Sequence, residues 1–224
     1  MEKVRILSLE SAGTTCSVTL HTDGVLESEY SVYKPNLHDQ LLAELVERTI
    51  DDLQLSVDDI SAVAVSAGPG SFTGLRISGC IAKALCMGGS PKMIAVPNMK
   101  ALAYCCIENL SYIDFDSVIS TIKAQKDLLY YQVFSKDFNT ISEPVFITQD
   151  EFMNFDFGHA LICGTAAELF PQYFSISDYN TLSAKFIGQL ATKMYREHDF
   201  VDERKYTPLY IQNFEPKITF SKDF

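Results

Sequence analysis

The order in which strand-like and helix-like segments succeed one another constrains this chain more than any single residue does. Val4 to Leu9, Cys16 to Leu20 and Val25 to Tyr33 have the alternation and β-branched content of strands. The Asp-Gly pair within His21-Thr22-Asp23-Gly24 marks a hairpin between the second and the third. A helix follows, capped by Asn36, in which Leu37, Leu41, Leu42, Leu45, Val46, Ile50 and Leu53 recur at helical spacing. Its other face carries Asp39, Glu44, Glu47, Arg48 and Asp51. Ile60 to Ala67 reads as a buried strand, and a glycine-rich turn then opens a helix that runs to about Met87. Met93 to Val96 is a further strand, and Pro97-Asn98 starts a helix to about Leu110.

After Tyr112 the order restarts. Val118 to Ile122, Leu128 to Phe134 and Pro144 to Ile147 are strand candidates, with Lys123-Ala124-Gln125-Lys126-Asp127 as the first turn. Gln149 to Asn154 is a short helix and Ala160 to Cys163 a buried strand. Gly164-Thr165 opens a helix ending near Pro171, and Leu182 to Tyr195 is a long one. Two copies of β-β-β-α-β-α predict an α/β fold: two open-sheet lobes around a cleft, as in the actin, Hsp70 and sugar-kinase (ASKHA) superfamily. The expected boundary near Asn98 gives lobes of residues 1–98 and 99–224.

Composition narrows the function. A net charge of −11, from 18 basic and 29 acidic residues, argues against the chain gripping RNA by itself, because phosphate contacts come from Lys and Arg. The start, Met1-Glu2-Lys3-Val4-Arg5, lacks the apolar core and cleavage site of a signal peptide, and no run is long enough for a membrane helix. The expectation is a cytoplasmic protein without a membrane partner. Cys16, Cys80, Cys86, Cys105, Cys106 and Cys163 form no metal-spaced pair and are expected to be buried, reduced thiols.

Ser66 to Gly74, SAGPGSFTG, is the most informative stretch. Its glycines and proline suit a tight strand-to-helix turn, Ser71 can cap the helix, and amide groups at such a helix start attract anions. Two readings stand side by side. In one, Ser11, Gly13, Gly68, Gly70 and Ser71 touch a nucleotide, ATP or ADP with Mg²⁺ held weakly; in the other, the glycines only permit close packing. In the helix, Gly74, Ser78, Ala82 and Cys86 form a stripe of small residues beside an apolar stripe of Ile77, Ile81 and Leu85. One stripe is expected on the sheet and the other on a neighbouring helix, and apolar surface left over would mark a partner.

Gly68-Pro69-Gly70-Ser71-Phe72-Thr73-Gly74-Leu75-Arg76-Ile77 resembles the signature of the TsaB family, also called YeaZ. Ile6-Leu7-Ser8-Leu9-Glu10-Ser11 is similar to that family's opening "ILAIDTS" strand. Cys16-Ser17-Val18, His38 and Pro208-Leu209-Tyr210-Ile211 add to the match, which is dense over the first hundred residues and sparse beyond. The resemblance implies a non-catalytic subunit that pairs with the catalytic paralogue TsaD through the helices Leu37 to Leu53 and Ser71 to Met87. The contact residues it suggests are Leu37, His38, Leu41, Leu45, Phe72, Gly74, Leu75, Ser78 and Ala82. It further implies a TsaE-type ATPase in the same complex, which transfers a threonylcarbamoyl group from its AMP ester to adenosine in tRNA, so that tRNA is met only indirectly. No cofactor is required.

Departures from the pattern bear on the nucleotide reading. Glu10 stands where actin-like ATPases begin their phosphate site with aspartate. Lys123-Ala124-Gln125 replaces the family's frequent Asp-Ala-Arg, and Gln212 replaces a common arginine. Glu10 either holds a magnesium-bound water or hydrogen-bonds the Ser11-Ala12-Gly13-Thr14 turn, and the second reading is preferred. His21, His38, His159 and His198 lack metal-ligand spacing, H-E-x-x-H and G-x-S-x-G are absent, and the acidic pairs sit at helix ends and loops. Neither a catalytic nor a metal residue is therefore assigned. The rival expectations are a free-standing ATPase or small-molecule kinase of the sugar-kinase type, and a homodimer through the same two helices.

Overall fold

The computed structural model describes residues 3–34 and 38–209, without the side chains of residues 38–40. Three antiparallel strands begin it: β1 (Arg5–Glu10), β2 (Cys16–Thr22) and β3 (Val25–Val32). The β2–β3 turn puts Asp23 at φ 54° and Gly24 at φ 90°, the paired left-handed backbone that an Asp-Gly hairpin supplies. After α1 (His38–Asp52), β4 (Ala62–Gly68) joins β1 in parallel. Then α2 (Phe72–Gly88) leads to β5 (Lys92–Pro97), parallel to β4, and to α3 (Asn98–Asn109). The first sheet has the order β3-β2-β1-β4-β5.

The second half repeats the theme on a smaller scale. Here β6 (Ser117–Lys123), β7 (Leu128–Ser135), β8 (Val145–Thr148), the short α4 (Gln149–Met153) and β9 (Ala160–Gly164) build a sheet of order β8-β7-β6-β9. These two mixed sheets with their helices make up the expected α/β fold. The helix expected from Gly164 to near Pro171 is only a single 3₁₀ turn at Ala167–Leu169. Between a glycine at φ +95° and a proline the chain has room for little more than one turn, and Ala167 and Phe170 are spent filling the core of the second lobe.

The last helix, α5 (Ala184–Arg196), comes from the second half of the chain but packs on the first sheet, against β1, β2 and β4 and alongside α3. That face of the sheet is unusually polar: Ser8, Ser17, Thr19 and His21 are all buried beneath it. The polar groups are used to seat the helix. Ser17 Oγ accepts from the Ala184 amide at 2.9 Å and Thr19 Oγ1 donates to the Ala184 carbonyl at 3.1 Å. Gly188 completes the fit, since a Cβ there would overlap the His21 ring. The opposite face of the sheet is apolar, with Leu7, Leu9, Val18, Leu20, Val63 and Val65 packed under α1 and α2.

Candidate functional site

Two turns meet at one end of the first sheet, the β1–β2 turn (residues 11–15) and the β4–α2 turn (residues 69–71). The Ser71 amide donates to the Ala12 carbonyl at 2.7 Å, and Ser11 Oγ donates to the Gly74 carbonyl at 2.8 Å. Gly74 must be glycine, because a Cβ there would coincide with the Ser11 carbonyl oxygen. Ser71 caps α2 by accepting from the Gly74 amide, and Asn98 Nδ2 holds the turn by donating to the Pro69 carbonyl at 2.9 Å. Gly68 closes β4 at φ +105°, and Gly70 lies against Ala12. Gly70 and Ser71 thus meet the β1–β2 turn through Ala12, between Ser11 and Gly13. On the other side Gly13 faces Leu182, just ahead of α5.

Glu10 dominates the electrostatics here. It is fully buried, and its Oε1 accepts from the amides of Ala12 at 2.5 Å and Gly13 at 3.1 Å. Burial pushes its pKa up to about 7, against the opposing pull of the Ser66 hydroxyl and the two amides. Its Oε2 meets no partner at hydrogen-bonding geometry. Glu10 therefore hydrogen-bonds its own turn, the preferred one of the two expectations above. Among the described residues no group of three or more His, Cys, Asp or Glu side chains is placed to hold a metal, and no helix is long and apolar enough to cross a membrane.

The helix pair on the apolar side forms a second candidate surface. α1 turns Leu42, Leu45 and Val46 inward and shows Ala43, Glu44, Glu47, Arg48, Asp51 and Asp52 to solvent. α2 is hemmed in by the sheet below, α1 on one flank and residues 201–209 on the other. Tyr206 is buried against Gly79, and the Leu209 amide donates to the Ala67 carbonyl at 2.7 Å. What α2 leaves outward is an arc of Thr73, Arg76, Cys80, Ala84 and Met87, flanked by the half-buried Ile77, Ile81 and Leu85. Met87 is 63% exposed. The helix has no acidic residue, so this arc is apolar and weakly basic beside the acidic outer face of α1.

A family model described as "TsaD: tRNA N6-adenosine threonylcarbamoyltransferase" matches residues 34–202. The TsaB protein of Escherichia coli, a tRNA threonylcarbamoyladenosine biosynthesis protein, is 31% identical over 138 residues, which cover 62% of this chain and 58% of that one. The TsaB protein of Haemophilus influenzae is 23% identical over 229 residues, covering 95% of both chains. The solved structure of YeaZ from Pseudomonas aeruginosa superposes with a TM-score of 0.79 at 20% identity, over 93% of this chain and all of that one. The chain belongs to the TsaD family, in its TsaB (YeaZ) branch.

Within that TsaB frame the structure revises several expected contact residues. Leu45, Gly74, Leu75, Ser78 and Ala82 are buried in the chain's own core and are not available to a partner. The stripe of small residues exists to bring α2 close to the sheet and the β1–β2 turn; Ser78 Oγ, for instance, donates back to the Gly74 carbonyl. Leu41 and Phe72 are half-exposed, with the Arg76 guanidinium 3.9 Å above the Phe72 ring. Leu37 lies outside the described residues, as do the His38 side chain, Tyr210, Ile211 and Gln212. Cys80 is a further correction: it is exposed, while the remaining cysteines are buried as expected. Sequence reasoning also missed Ala84 and Met87. Their signal was available, since they lie one and two turns along from Cys80, on the arc opposite Ser78 and Ala82.

Proposed function

We propose that this chain is a non-catalytic subunit in the formation of N6-threonylcarbamoyladenosine in tRNA, binding and activating a TsaD-type threonylcarbamoyltransferase. The observation that carries the reading is the outward arc of α2. Past Arg76 it continues as an uncharged strip of Cys80, Ala84 and Met87 that the fold leaves exposed between acidic α1 and the segment 201–209. Exposed apolar strips with charged margins are the ordinary signature of a protein interface. The names of the relatives support the pathway, and the family relation to the transferase supports the choice of partner. The net charge of −11 supports leaving tRNA to that partner, and a TsaE-type ATPase would join the pair. In this reading the subunit works in the cytoplasm and requires no cofactor of its own.

The test uses the full chain co-expressed with a TsaD homologue. Ala84→Glu places a charge at the middle of the arc and is expected to abolish co-purification while leaving the thermal transition within a degree or two. An Ala84→Glu protein that still co-purifies removes this face from the account. A complex that forms normally yet leaves tRNA modification unchanged overturns activation.

A further inference from the structure

β9 ends the order of the second sheet, and the chain accompanies its outer edge only briefly. Phe174 makes one parallel bridge to Leu161, in which the Ile162 amide donates to the Phe174 carbonyl at 2.9 Å. Beside this bridge is a cavity of about 440 Å³, within the size range of ligand clefts. Asp114, Phe115, His159, Leu161, Tyr173 and Phe174 are among the residues that line it. An aromatic ridge leads away from the cavity. The Tyr173 ring lies 6.0 Å from Phe157 and the Phe157 ring 5.9 Å from Phe155, and the Tyr173 hydroxyl accepts from the Phe157 amide at 3.3 Å. The fold leaves apolar surface uncovered here: Phe174 is 56% exposed and Phe155 48%. α4 and the 3₁₀ turn, which pack on the neighbouring core, are too short to cover it.

The charge around this face is one-sided. From residue 137 to residue 184 the chain carries seven acidic residues, all exposed, and neither a lysine nor an arginine. Asp156 belongs to the ridge, where its Oδ1 accepts from the Gly158 amide at 2.9 Å, and Asp114 is exposed at the cavity. Phe115 already carries a cation, with Lys136 Nζ 5.6 Å over its ring. We propose that this face of the second lobe docks a basic, apolar segment of a partner protein, an extended stretch in which lysine or arginine alternates with aliphatic residues. Its aliphatic side chains would enter the cavity and cover the ridge, and its cations would meet the acidic margin. An extended segment suits a cavity beside an edge strand. Nucleic acid, or a second copy of a chain with net charge −11, would bring like charge to the same margin. The face lies at β9 and not on α2, so it is tested apart from the transferase reading.

Fluorescence anisotropy at physiological salt tests it, with labelled heptapeptides of alternating lysine and leucine, lysine and serine, or glutamate and leucine. The wild-type chain should bind the lysine–leucine peptide at least tenfold more tightly than either of the others. Asp114→Lys and Phe174→Ser change exposed side chains and should each weaken that binding on the order of fivefold or more, with unchanged circular dichroism. Glu27→Lys, a charge reversal on β3, should leave it unaltered. Equal binding of the lysine–serine peptide would show adventitious charge only, and equal binding of the glutamate–leucine peptide would show adventitious apolar contact only; either overturns the proposal. So would full affinity in both cavity variants, or a loss in Glu27→Lys equal to theirs. Should those variants fail to fold, NMR of the wild-type chain decides. The Gly158, His159 and Phe174 amide resonances should shift with the lysine–leucine peptide, and shifts confined to other residues would refute the site.

Discussion

Glu10 and His21 are buried titratable side chains close to the same sheet face, and they pull stability in opposite directions with pH. Glu10 has its pKa raised from 4.5 to about 7, so its contribution is fully present below 4.5 and is lost as pH rises through 7. His21 sits unprotonated against Gly188, with its pKa lowered from 6.5 to about 4 by burial and by the Lys185 charge. Its contribution is present above 6.5 and is lost as pH falls through 4. Glu10→Gln, a neutral mimic of the protonated acid, should stabilise the chain near pH 8 by on the order of 2–3 kcal/mol, with the gain fading below about pH 5. Urea midpoints across pH read this directly, and a constant difference at every pH would show that Glu10 does not titrate as described. A methyl group at Gly74 has nowhere to go but the Ser11 carbonyl. Gly74→Ala is therefore expected to cost roughly 3 kcal/mol or more, seen as a lowered melting temperature.

At the scale of elements, α2 shows why neighbouring positions respond so differently. Ala82 and Ala84 are two residues apart, yet one faces the sheet and the other faces solvent. Ala82→Glu buries an unpaired charge and should unfold the lobe, whereas Ala84→Glu should leave the melting temperature nearly unchanged; circular dichroism separates the two. The comparison also marks how far the sequence could be read. The Asp23-Gly24 hairpin, the strands and the helix from residue 72 were legible because turn chemistry and periodicity are local properties. Which stripe of α2 points outward was not, because Gly74 and Ser78 are small for the sake of a close approach, and small residues look alike whether they face a sheet or a partner. The docking of α5 on the first sheet was equally hidden. Amphipathic spacing says that a helix has an inner face but not which sheet it covers, and that choice rests on Ser17, Thr19 and the space left by Gly188.

For the whole molecule, α5 packs a late segment of the described chain on β1 and β2, and the segment 201–209 returns to the same sheet, where Val201 bridges Met93 of β5. Gly188→Leu drives a side chain into His21 and Ser8 and should loosen both lobes together, so that hydrogen exchange rises in β1 and β2 as well as in α5. The first sheet is thereby covered by α5 on its polar face and by α1 and α2 on its apolar face. The most direct measurement of the central claim is a reconstituted threonylcarbamoylation assay with the TsaD homologue, a TsaE-type ATPase and tRNA, run with no added chain, with wild type and with Ala84→Glu. The account predicts product with wild type, little without it, and little with Ala84→Glu although that variant is folded. Full product in the absence of this chain, or full product with Ala84→Glu, would contradict it.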